Sequence, residues 1–582
     1  MNIPFKRYWD LLGPYLMFQK GRFVLLIVLL LGSIGLQVVN PQIMRHFLDA
    51  AMAGEAIARL ATTALVFIGI AVFQQVVGVS ATYIGENVAW TATNALRAGL
   101  ARHCLTLDMS FHNNTSPGEL IERIDGDVME LSNFFSQLVV RIIGNLLLLV
   151  GVLIAFFLEG WRIGLAFTIL ATITLYALNR VRGLAIPHNK ATREAVANLM
   201  GYLEERLSGT EDIRSSGAVD FVILGLYKLS YEILIHWRKA WRTFIVVRFT
   251  GGMAQTMGSA MALLIGYRLF GDGAITIGAA YLLVHYTNLL GRPIRELTQQ
   301  IENLQNIGAA VERLSELRAI ERKIEDGPGA DFPGGPLSLV FEDVSFAYVQ
   351  DEPVLQDLAF TLEPGTVLGL LGRTGSGKTT MARLLFRLYD PSAGRIALGD
   401  VDIREATLMD LRRHVAIVTQ DVQLFQASVR DNLTFFDAGS ISDEQIRAVI
   451  KELELSDWYE SLPDGLDTKL KTGGRSLSAG EAQLLAFTRV FLRDPGLVIL
   501  DEASSRLDPA TEQRIERAVG KLLQNRTAIV IAHRLGTVQR ADDIMILDAG
   551  RVTEHGQREQ LAGDPTSRFY SLLRTGLEDV LV

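Results

Sequence analysis

Two short motifs in the second half of the chain contain the residue types that handle a nucleoside triphosphate. The first, Gly-Arg-Thr-Gly-Ser-Gly-Lys-Thr-Thr at 372–380, matches the phosphate-loop pattern G-x-x-x-x-G-K-[ST]. An apolar run at 367–371 precedes it and a helix-like stretch at 381–388 follows it, which is the context that the motif requires. Main-chain amides at the start of such a helix point at phosphate, Lys378 adds a positive charge, and the Thr379 hydroxyl is suited to Mg²⁺. The nucleotide-binding positions predicted here are Gly372, Thr374, Gly375, Ser376, Gly377, Lys378, Thr379 and Thr380.

The second motif is Leu-Val-Ile-Leu-Asp-Glu at 497–502. Its four apolar residues predict a buried strand, with Asp501 at the strand end as a ligand for Mg²⁺. Glu502 follows, where a carboxylate orients the attacking water and partly deprotonates it. Acidic residues that serve only solubility are the alternative, but a phosphate loop in the same chain argues against it. The two motifs together predict ATP hydrolysis.

Two further features point to the same nucleotide. The stretch 475–481 leads into a helix expected at 482–492, so it creates a second helix start suited to an anion. One domain seldom needs two such starts, and the need disappears if the second serves a nucleotide held by another subunit. Tyr348 ends a strand-like run at 337–348, where its ring either stacks on adenine or only caps a sheet edge.

The composition indicates two unlike parts. The 582 residues are 49% hydrophobic and 21% charged, with a mean hydropathy of +0.25, and the apolar residues are concentrated before residue 291. A net charge of −8 shows no basic excess that would indicate a nucleic-acid partner. The single cysteine, Cys104, excludes an intrachain disulfide, favours a reducing compartment and is expected to be a small packed side chain.

Six apolar runs are long enough to cross a bilayer, near 23–44, 59–84, 136–158, 161–182, 244–270 and 274–291. The short turns at 159–160 and 271–273 must share one side of the membrane, and the long connections at 85–135 and 183–243 the other. Lysine and arginine are frequent in the second long connection and near the N-terminus, so both termini and both long loops are expected in the cytoplasm. The sequence thus predicts a multi-pass protein of the inner (plasma) membrane.

Polar side chains within the predicted spans are candidates for substrate contact, because such groups are costly in lipid and commonly face a bundle interior. Arg248 and His285 are the favoured candidates, and hydrogen bonding between helices is the alternative for every member of the set. The set is Gln37, Gln74, Gln75, Asn145, Arg248, Arg268, His285 and Asn288.

A compositional break at 325–336, rich in glycine and proline, indicates a linker. After it, short β-like runs alternate with amphipathic helices, as in a P-loop α/β domain. We therefore predict a multidomain protein, in which a six-helix, all-α transmembrane domain at 1–324 precedes an α/β P-loop ATPase domain at 337–582.

Taken together, these motifs resemble those of an ABC transporter half-molecule of the exporter type, and the resemblance covers nearly the whole chain. It implies a catalytic set of Lys378, Glu502 and His533, with His533 as the switch histidine. It implies Mg²⁺ ligands in Thr379, the Q-loop Gln420 and the Walker B Asp501. Further contacts to ATP are implied for the A-loop Tyr348, for Ser478 and Gly480 of the signature at 477–481, and for Asp508 of the D-loop at 505–508.

The resemblance also implies a head-to-tail dimer, in which each ATP lies between one chain's Walker motifs and the other chain's signature. The signature here is Leu-Ser-Ala-Gly-Glu, with Ala479 and Glu481 in place of the usual glycine and glutamine. Two assemblies are compatible with this signature. One is a homodimer that tolerates it, and the other is a heterodimer with a second half-transporter, which we favour. Segments near 117–127 and 207–217 are expected to couple ATP hydrolysis to the spans.

The expected substrate is an amphipathic small molecule, lipid or peptide. Two other readings stay open at this point. One is an importer built on the exporter architecture, and the other is an ATP-gated channel or regulatory subunit.

Overall fold

The computed structural model describes residues 5–136, 141–183, 186–349, 351–419, 422–437, 441–471, 477–501, 509–531 and 538–575. The chain divides into two compact units. The first comprises Met1–Leu105 and Pro117–Ile320, and the second comprises Thr106–Ser116 and Glu321–Val582. Because the described part of the first unit contains helices and no strand, we call it the helical unit, and we call the second the α/β unit.

Long helices dominate the first 320 residues. In chain order they are α1 Phe5–Met17, α2 Lys20–Met52, α3 Ile57–Leu105, α4 Met109–Asn114, α5 Pro117–Ile121, a π-helix Glu122–Asp127, α6 Val128–Ser136, α7 Gly144–Glu159, α8 Trp161–Arg182, α9 Ile186–Ser208, α10 Thr210–Ser215, α11 Val219–Gly271 and α12 Ile277–Ala319. The 53 residues of α11 correspond to about 80 Å at the usual rise per residue, against a hydrocarbon core of about 30 Å. The helical extension of the spans beyond the bilayer, expected from the sequence, is therefore present.

Four helical segments in the described part of the chain are long and apolar enough to cross a membrane: Lys20–Met52, Ile57–Leu105, Arg141–Glu159 and Trp161–Val181. They correspond to the first four predicted spans. The fifth and sixth predicted spans fall within α11 and α12. These two helices carry polar residues in the relevant stretch, among them Gln255, Thr287 and Asn288, so their apolar character is weaker.

Aromatic rings fill the centre of the helical unit. Phe156 of α7 stacks on Phe167 of α8 with ring centroids 4.1 Å apart, and Tyr286 of α12 meets Phe156 edge-on at 5.8 Å. All three side chains are fully buried. The Tyr286 hydroxyl donates to the Val38 carbonyl at 2.9 Å and accepts from Gln42 Nε2 at 3.0 Å, so its polar end is satisfied on α2.

Charged groups join α2 to two neighbours near the turn between α7 and α8. Arg45 donates to both carboxylate oxygens of Glu159, at 2.7 and 3.0 Å. Asp49 accepts from the Thr276 hydroxyl at 2.8 Å and from the Gly278 amide at 2.9 Å, at the start of α12. The end of α2 is therefore held to the α7–α8 turn and to α12 at the same time.

The α/β unit contains two sheets. Its strands are β1 Leu339–Ala347, β2 Pro353–Leu362, β3 Val367–Gly372, β4 Ala393–Leu398, β5 Val401–Asp402, β6 Val415–Val418, β7 Leu497–Asp501, β8 Thr527–Ile531, β9 Asp543–Asp548 and β10 Arg551–Gln557. A six-stranded sheet has the order β10-β9-β3-β8-β7-β6, in which only β10 runs antiparallel to its neighbour. A four-stranded antiparallel sheet has the order β2-β1-β4-β5.

Helices and apolar clusters cover both faces of the larger sheet. The helices are α13 Lys378–Leu385, α14 Leu408–His414, α15 Val429–Thr434, α16 Asp443–Glu452, α17 Ser456–Glu460, a 3₁₀ turn Gly465–Asp467, α18 Ala479–Arg493, α19 Pro509–Leu523, α20 Arg558–Gly563 and α21 Arg568–Thr575. Along β3, Val367 and Leu371 belong to one cluster, while Leu368 and Leu370 belong to the other. The strand is buried throughout, as expected for a parallel sheet covered on both faces.

Two chain segments outside the sheets are bonded into the α/β unit. The Asp108 carboxylate accepts from the main-chain amides of Lys323 and Ile324, at 2.6 and 3.3 Å. The linker predicted at 325–336 is also attached, since the Gly327 amide donates to the Ala406 carbonyl at 3.2 Å. Residues 106–116 therefore belong with the α/β unit although helices of the other unit precede and follow them in sequence.

A buried carboxylate joins the π-helix to α12 in the helical unit. Asp127 is 2% exposed, and its two oxygens accept from Nε and Nη2 of Arg313, the first at 2.9 Å. Hydrogen bonding to Asp127 raises the pKa of Arg313 above its usual value. Removing one partner of such a pair leaves an uncompensated charge in the interior.

We expect Arg313→Ala to destabilise the protein by about 1 to 3 kcal/mol, because Asp127 then stays buried without its cation while the half-exposed arginine limits the loss. Thermal unfolding of the purified protein in detergent measures the change. Arg318→Ala, at an exposed position on the same helix, is the matched control. Adding Asp127→Asn to Arg313→Ala should restore most of the stability, and a double variant as unstable as the single one would show that charge is not the cause.

Candidate nucleotide-binding site

The phosphate loop connects β3, which ends at Gly372, to α13, which begins at Lys378. Gly377 is the residue before the helix and has a φ of +107°, in the left-handed region that favours glycine. A Cβ on Gly377 would lie 2.5 Å from Leu355 Cδ2, and a Cβ on Gly372 would lie 2.3 Å from the Leu547 carbonyl oxygen. Glycine is therefore required at both positions for the loop to fold this tightly.

Polar groups converge on the inside of this loop. Lys378 Nζ donates to the carbonyls of Gly372 at 2.5 Å and Arg373 at 3.0 Å, and the side chain is 6% exposed. Ser376 Oγ is buried and has no hydrogen-bond partner among the described residues. A cradle that only glycine can form, with a buried lysine and an unsatisfied hydroxyl, fits the phosphates of a nucleotide.

The strand register brings other predicted positions to the same edge of the sheet. Leu370 of β3 is level with Ile531 of β8, and Ile531 with Asp501 of β7. Since these strands are parallel, Asp501 lies at the carboxyl edge from which the phosphate loop departs. Thr379 is exposed in the first turn of α13. Its hydroxyl and the Asp501 carboxylate are oxygen ligands of the kind that Mg²⁺ takes together with substrate phosphates.

Several of the predicted site residues cannot be placed. Gln420, Glu502, Asp508 and His533 lie outside the described residues, as does the rest of the D-loop. Thr374 and Gly375 are described, and both are exposed on the loop.

Tyr348, which follows β1, lies beside the phosphate-loop helix. Its hydroxyl is 3.2 Å from Thr380 Oγ1 and accepts from Arg383 Nη1 at 3.1 Å. The ring is 40% exposed and meets Phe346 edge-on at 4.9 Å and Tyr389 edge-on at 5.1 Å. An exposed ring held next to α13 is suited to stacking on a base. Sequence reasoning missed Tyr389, whose only signal was an aromatic residue just before Asp390-Pro391.

The second predicted anion site begins α18, three residues earlier than the sequence suggested. Ser478 is the N-cap residue, and its hydroxyl accepts from the Glu481 amide at 3.3 Å. The Glu481 carboxylate in turn accepts from the Ser478 amide at 2.7 Å, which completes a capping box. Gly480 is buried in the first turn. The helix start is thus already occupied by the negative charge of the Glu481 side chain; Ser478 is exposed and Glu481 is half-buried.

A buried arginine that sequence reasoning missed holds α18 to the chain after the Q-loop. Arg489 is 7% exposed, and its guanidinium donates to the Asn432 carbonyl at 2.6 Å, the Gln423 carbonyl at 3.1 Å and Asn432 Oδ1 at 3.2 Å. It also lies 4.6 Å from the ring centroid of Phe435. Burial lowers the pKa of Arg489 to about 10, and the charge of Arg493 acts in the same direction.

The helical unit contains a cleft between α8, α11 and α12. Thr174, Gln255 and Thr287 contribute polar groups to its lining. Gln255 Nε2 donates to Asn288 Oδ1 at 2.8 Å and to the Thr287 carbonyl at 3.3 Å. Asn288, one of the predicted substrate candidates, therefore forms a hydrogen bond with a residue that lines this cleft.

The favoured substrate candidates lie elsewhere in the helical unit. Arg248 is exposed on α11, and His285 is half-buried beside Tyr281 on α12. Gln37 donates to Ser33 within α2 at 3.3 Å, and Asn145 to the Arg141 carbonyl at 2.6 Å, so both make contacts within one stretch of chain. Cys104, as expected, is a buried side chain near the end of α3.

Comparison with known proteins gives the same division of the chain. Residues 23–294 match the family described as ABC transporter transmembrane region, and residues 355–505 match the family described as ABC transporter. An uncharacterized ABC transporter ATP-binding protein of Bacillus subtilis, YknV, is 31% identical over 82% of this chain and 78% of its own. An ATP-dependent lipid A-core flippase of Mannheimia succiniciproducens is 28% identical over 96% of this chain and 95% of its own.

A solved structure supports the same assignment. A bacterial Atm1-family ABC exporter with ATP bound superimposes with a TM-score of 0.77 and 25% identity, covering 96% of this chain and 98% of the other. The chain belongs to the ABC transporter family. It has the exporter-type architecture, a helical transmembrane domain followed in the same polypeptide by an α/β nucleotide-binding domain.

We expect Arg489→Met to lower the midpoint of thermal unfolding of the α/β unit by roughly 5 to 10 °C, because two main-chain carbonyls and one amide oxygen lose a charged donor in a buried place. Scanning fluorimetry of the purified protein measures this. Arg447→Met is the control, since Arg447 is exposed, its contacts to Asp443 and Tyr459 are long, at 3.7 and 3.4 Å, and surface pairs contribute little. Equal midpoints for the two variants would contradict a structural role for the buried arginine.

Proposed function

We propose that this protein is an ATP-driven exporter that works as a dimer and couples ATP hydrolysis to translocation of an amphipathic substrate. The observation that carries the proposal is the phosphate cradle around Lys378 at the same sheet edge as Asp501. The same polypeptide supplies apolar helices long enough to cross a membrane. One chain thus contains both the proposed ATP site and the helices that would form the translocation pathway. The α/β unit and both termini are placed in the cytoplasm, with the spans in the inner membrane.

One set of residues in this chain binds the nucleotide, and another activates the attacking water. Lys378 and the amides of the phosphate loop bind the terminal phosphates and stabilise the charge that develops during transfer. Thr379, Gln420 and Asp501 would hold Mg²⁺, which would supply positive charge beside the phosphates. Glu502 accepts a proton from the attacking water, and His533 donates a hydrogen bond toward the γ-phosphate. Tyr348 stacks on adenine.

Dimer formation is supported by an exposed apolar stripe on the first half of α11. Phe221, Leu224, Tyr227, Tyr231 and Leu234 are all exposed and recur every three or four residues, so they share one helix face. This part of α11 lies in the predicted cytoplasmic connection, where lipid cannot cover it. A contiguous apolar face in water marks an interaction surface, and we assign it to the second half-transporter.

The capping box at Ser478 supports a heterodimer over a homodimer. In a head-to-tail dimer, this helix start faces the triphosphate bound by the partner, and the Glu481 carboxylate brings a like charge to it. In a homodimer, this repulsion between the Glu481 carboxylate and the triphosphate would act at both sites. In a heterodimer only one site carries it, and the competent Walker motifs of this chain meet the partner's signature.

The cleft between α8, α11 and α12 supports an amphipathic substrate. Its lining combines apolar residues such as Leu170, Leu178 and Ile294 with the polar groups of Thr174 and Gln255. Such a surface suits molecules with both an apolar and a polar part. A relative named for flipping lipid A-core is consistent with a lipid-like cargo.

We expect Lys378→Ala to abolish ATP hydrolysis and transport, because the loop then lacks the buried ammonium group that now contacts the carbonyls of Gly372 and Arg373 and is proposed to bind the terminal phosphates. Phosphate release by the native assembly reconstituted in liposomes measures this, and we expect a loss of at least about a hundredfold. Lys451→Ala, at an exposed position of α16, should leave activity unchanged. Hydrolysis that survives Lys378→Ala would overturn the proposed function.

Glu481→Gln distinguishes the two assemblies. Glutamine can still accept from the Ser478 amide, so the cap remains while the charge disappears. In the heterodimer we expect steady-state hydrolysis to change less than about twofold, with more ATP retained after gel filtration, because the relieved site contributes little turnover. In a homodimer both active sites are relieved, and turnover should rise about fivefold, as about 1 kcal/mol of repulsion in a hydrated site implies.

Glu444→Gln is the matched control, since it removes an exposed charge from α16. The chain should also be purified without a partner. A stable dimer of this chain alone, with vigorous hydrolysis that Glu481→Gln accelerates, would refute the heterodimer.

A further inference from the structure

A short segment that follows the long helix α3 in sequence contacts the base end of the proposed nucleotide site. The segment Thr106–Ser116 belongs to the α/β unit and contains α4. Asn113, in the last turn of α4, donates from Nδ2 to the hydroxyl of Tyr389 at 2.8 Å. Asp108, at the start of α4, is fixed by the amides of Lys323 and Ile324. The Asn113 contact is therefore made by a segment that is also fixed at its start.

Tyr389 connects this contact to the base-stacking tyrosine. Its ring is 9% exposed and packs against Phe346 at 5.5 Å and against Tyr348 at 5.1 Å, nearly perpendicular to the latter. Burial raises the pKa of Tyr389 above its usual value. Edge-to-face packing is directional, so the orientation of one ring constrains the other.

We propose that Asn113 is a positioning residue for adenine: by holding the Tyr389 hydroxyl, it sets the ring against which Tyr348 packs. The proposal rests on the proposed function, since it takes Tyr348 as the residue that stacks on ATP.

The contact differs from an ordinary anchor in what it predicts for the nucleotide. An anchor alone would affect stability and all ligands equally. A residue that positions Tyr348 affects ligands with a base, because the ring stacks on the base while the loop around Lys378 holds the phosphates. Coupling is also reciprocal: if the segment affects adenine binding, adenine binding must affect the segment.

The test uses the full chain in its native assembly, in lipid nanodiscs, with Asn113→Ala, Tyr389→Phe and the double variant. Tyr389→Phe keeps the ring and loses only the acceptor. We expect each single variant to raise the KM for ATP about three- to tenfold, the range that one hydrogen bond accounts for, with kcat within about twofold. Inhibition by inorganic tripolyphosphate, which has no base, should be unchanged. The double variant should match the singles, because both remove the same bond.

Asn114→Ala, at the next, exposed position of α4, is the matched control and should behave as wild type. The proposal is overturned if the single variants keep the wild-type KM for ATP, if they weaken tripolyphosphate to the same extent, or if their effects add in the double variant.

Hydrogen exchange of the wild-type protein gives a second measurement that needs no variant to fold. ATP should slow exchange of the amides in Met109–Asn114, and tripolyphosphate should not. Equal exchange with the two ligands would also reject the proposal. A failure of the proposed function would give a different result, because the Lys378→Ala variant would then hydrolyse ATP as fast as the wild type.

Discussion

A triphosphate carries several negative charges close together, and a protein can hold it only where amide dipoles and a cation already point at one spot. The parallel sheet of the α/β unit provides that spot. Leu370 of β3 is level with the last residues of β8 and β7, Ile531 and Asp501, so the loop after β3 and the Asp501 carboxylate lie at the same edge. The glycines at 372 and 377 let the chain turn there without a clash. The buried strands of the α/β unit therefore fix the positions of the groups that bind the triphosphate.

The parts that the sequence predicted well are those with local signals. β3 and β7 are short apolar runs next to motif residues, and the first four spans are long apolar runs, so each is specified by its own composition. The last two spans, in α11 and α12, have a weaker signal in the sequence, because polar residues interrupt the apolar runs. The start of α18 at Ala479 was predicted three residues too late, because the capping box at its first turn is polar. The contacts of Arg489 and Tyr389 could not be predicted, since their partners are distant in sequence and no local pattern marks them.

The helix α18 joins two functions that a sequence motif describes separately. Its first residue follows Ser478, where the Glu481 carboxylate closes the cap. About three turns later, Arg489 donates to the carbonyls of Gln423 and Asn432. A buried guanidinium without a carboxylate partner is costly unless its hydrogen bonds are made, so the helix cannot slide relative to the chain after the Q-loop without losing them. Movement at the signature is thereby tied to movement of that chain.

The two ends of a nucleotide are handled by different kinds of contact, and this difference decides where communication is possible. Phosphate is held by main chain at the end of a buried strand, so a shift there would disturb the sheet. Tyr348, the residue proposed to stack on the base, is held by side-chain contacts: its ring packs against Phe346 and Tyr389, and its hydroxyl forms hydrogen bonds with Thr380 and Arg383. At the base end, Asn113 of the segment Thr106–Ser116 donates to the Tyr389 hydroxyl, and both residues belong to the α/β unit. A shift of this segment would therefore reach the base through side-chain contacts, while the strand that carries the phosphate loop stays in place.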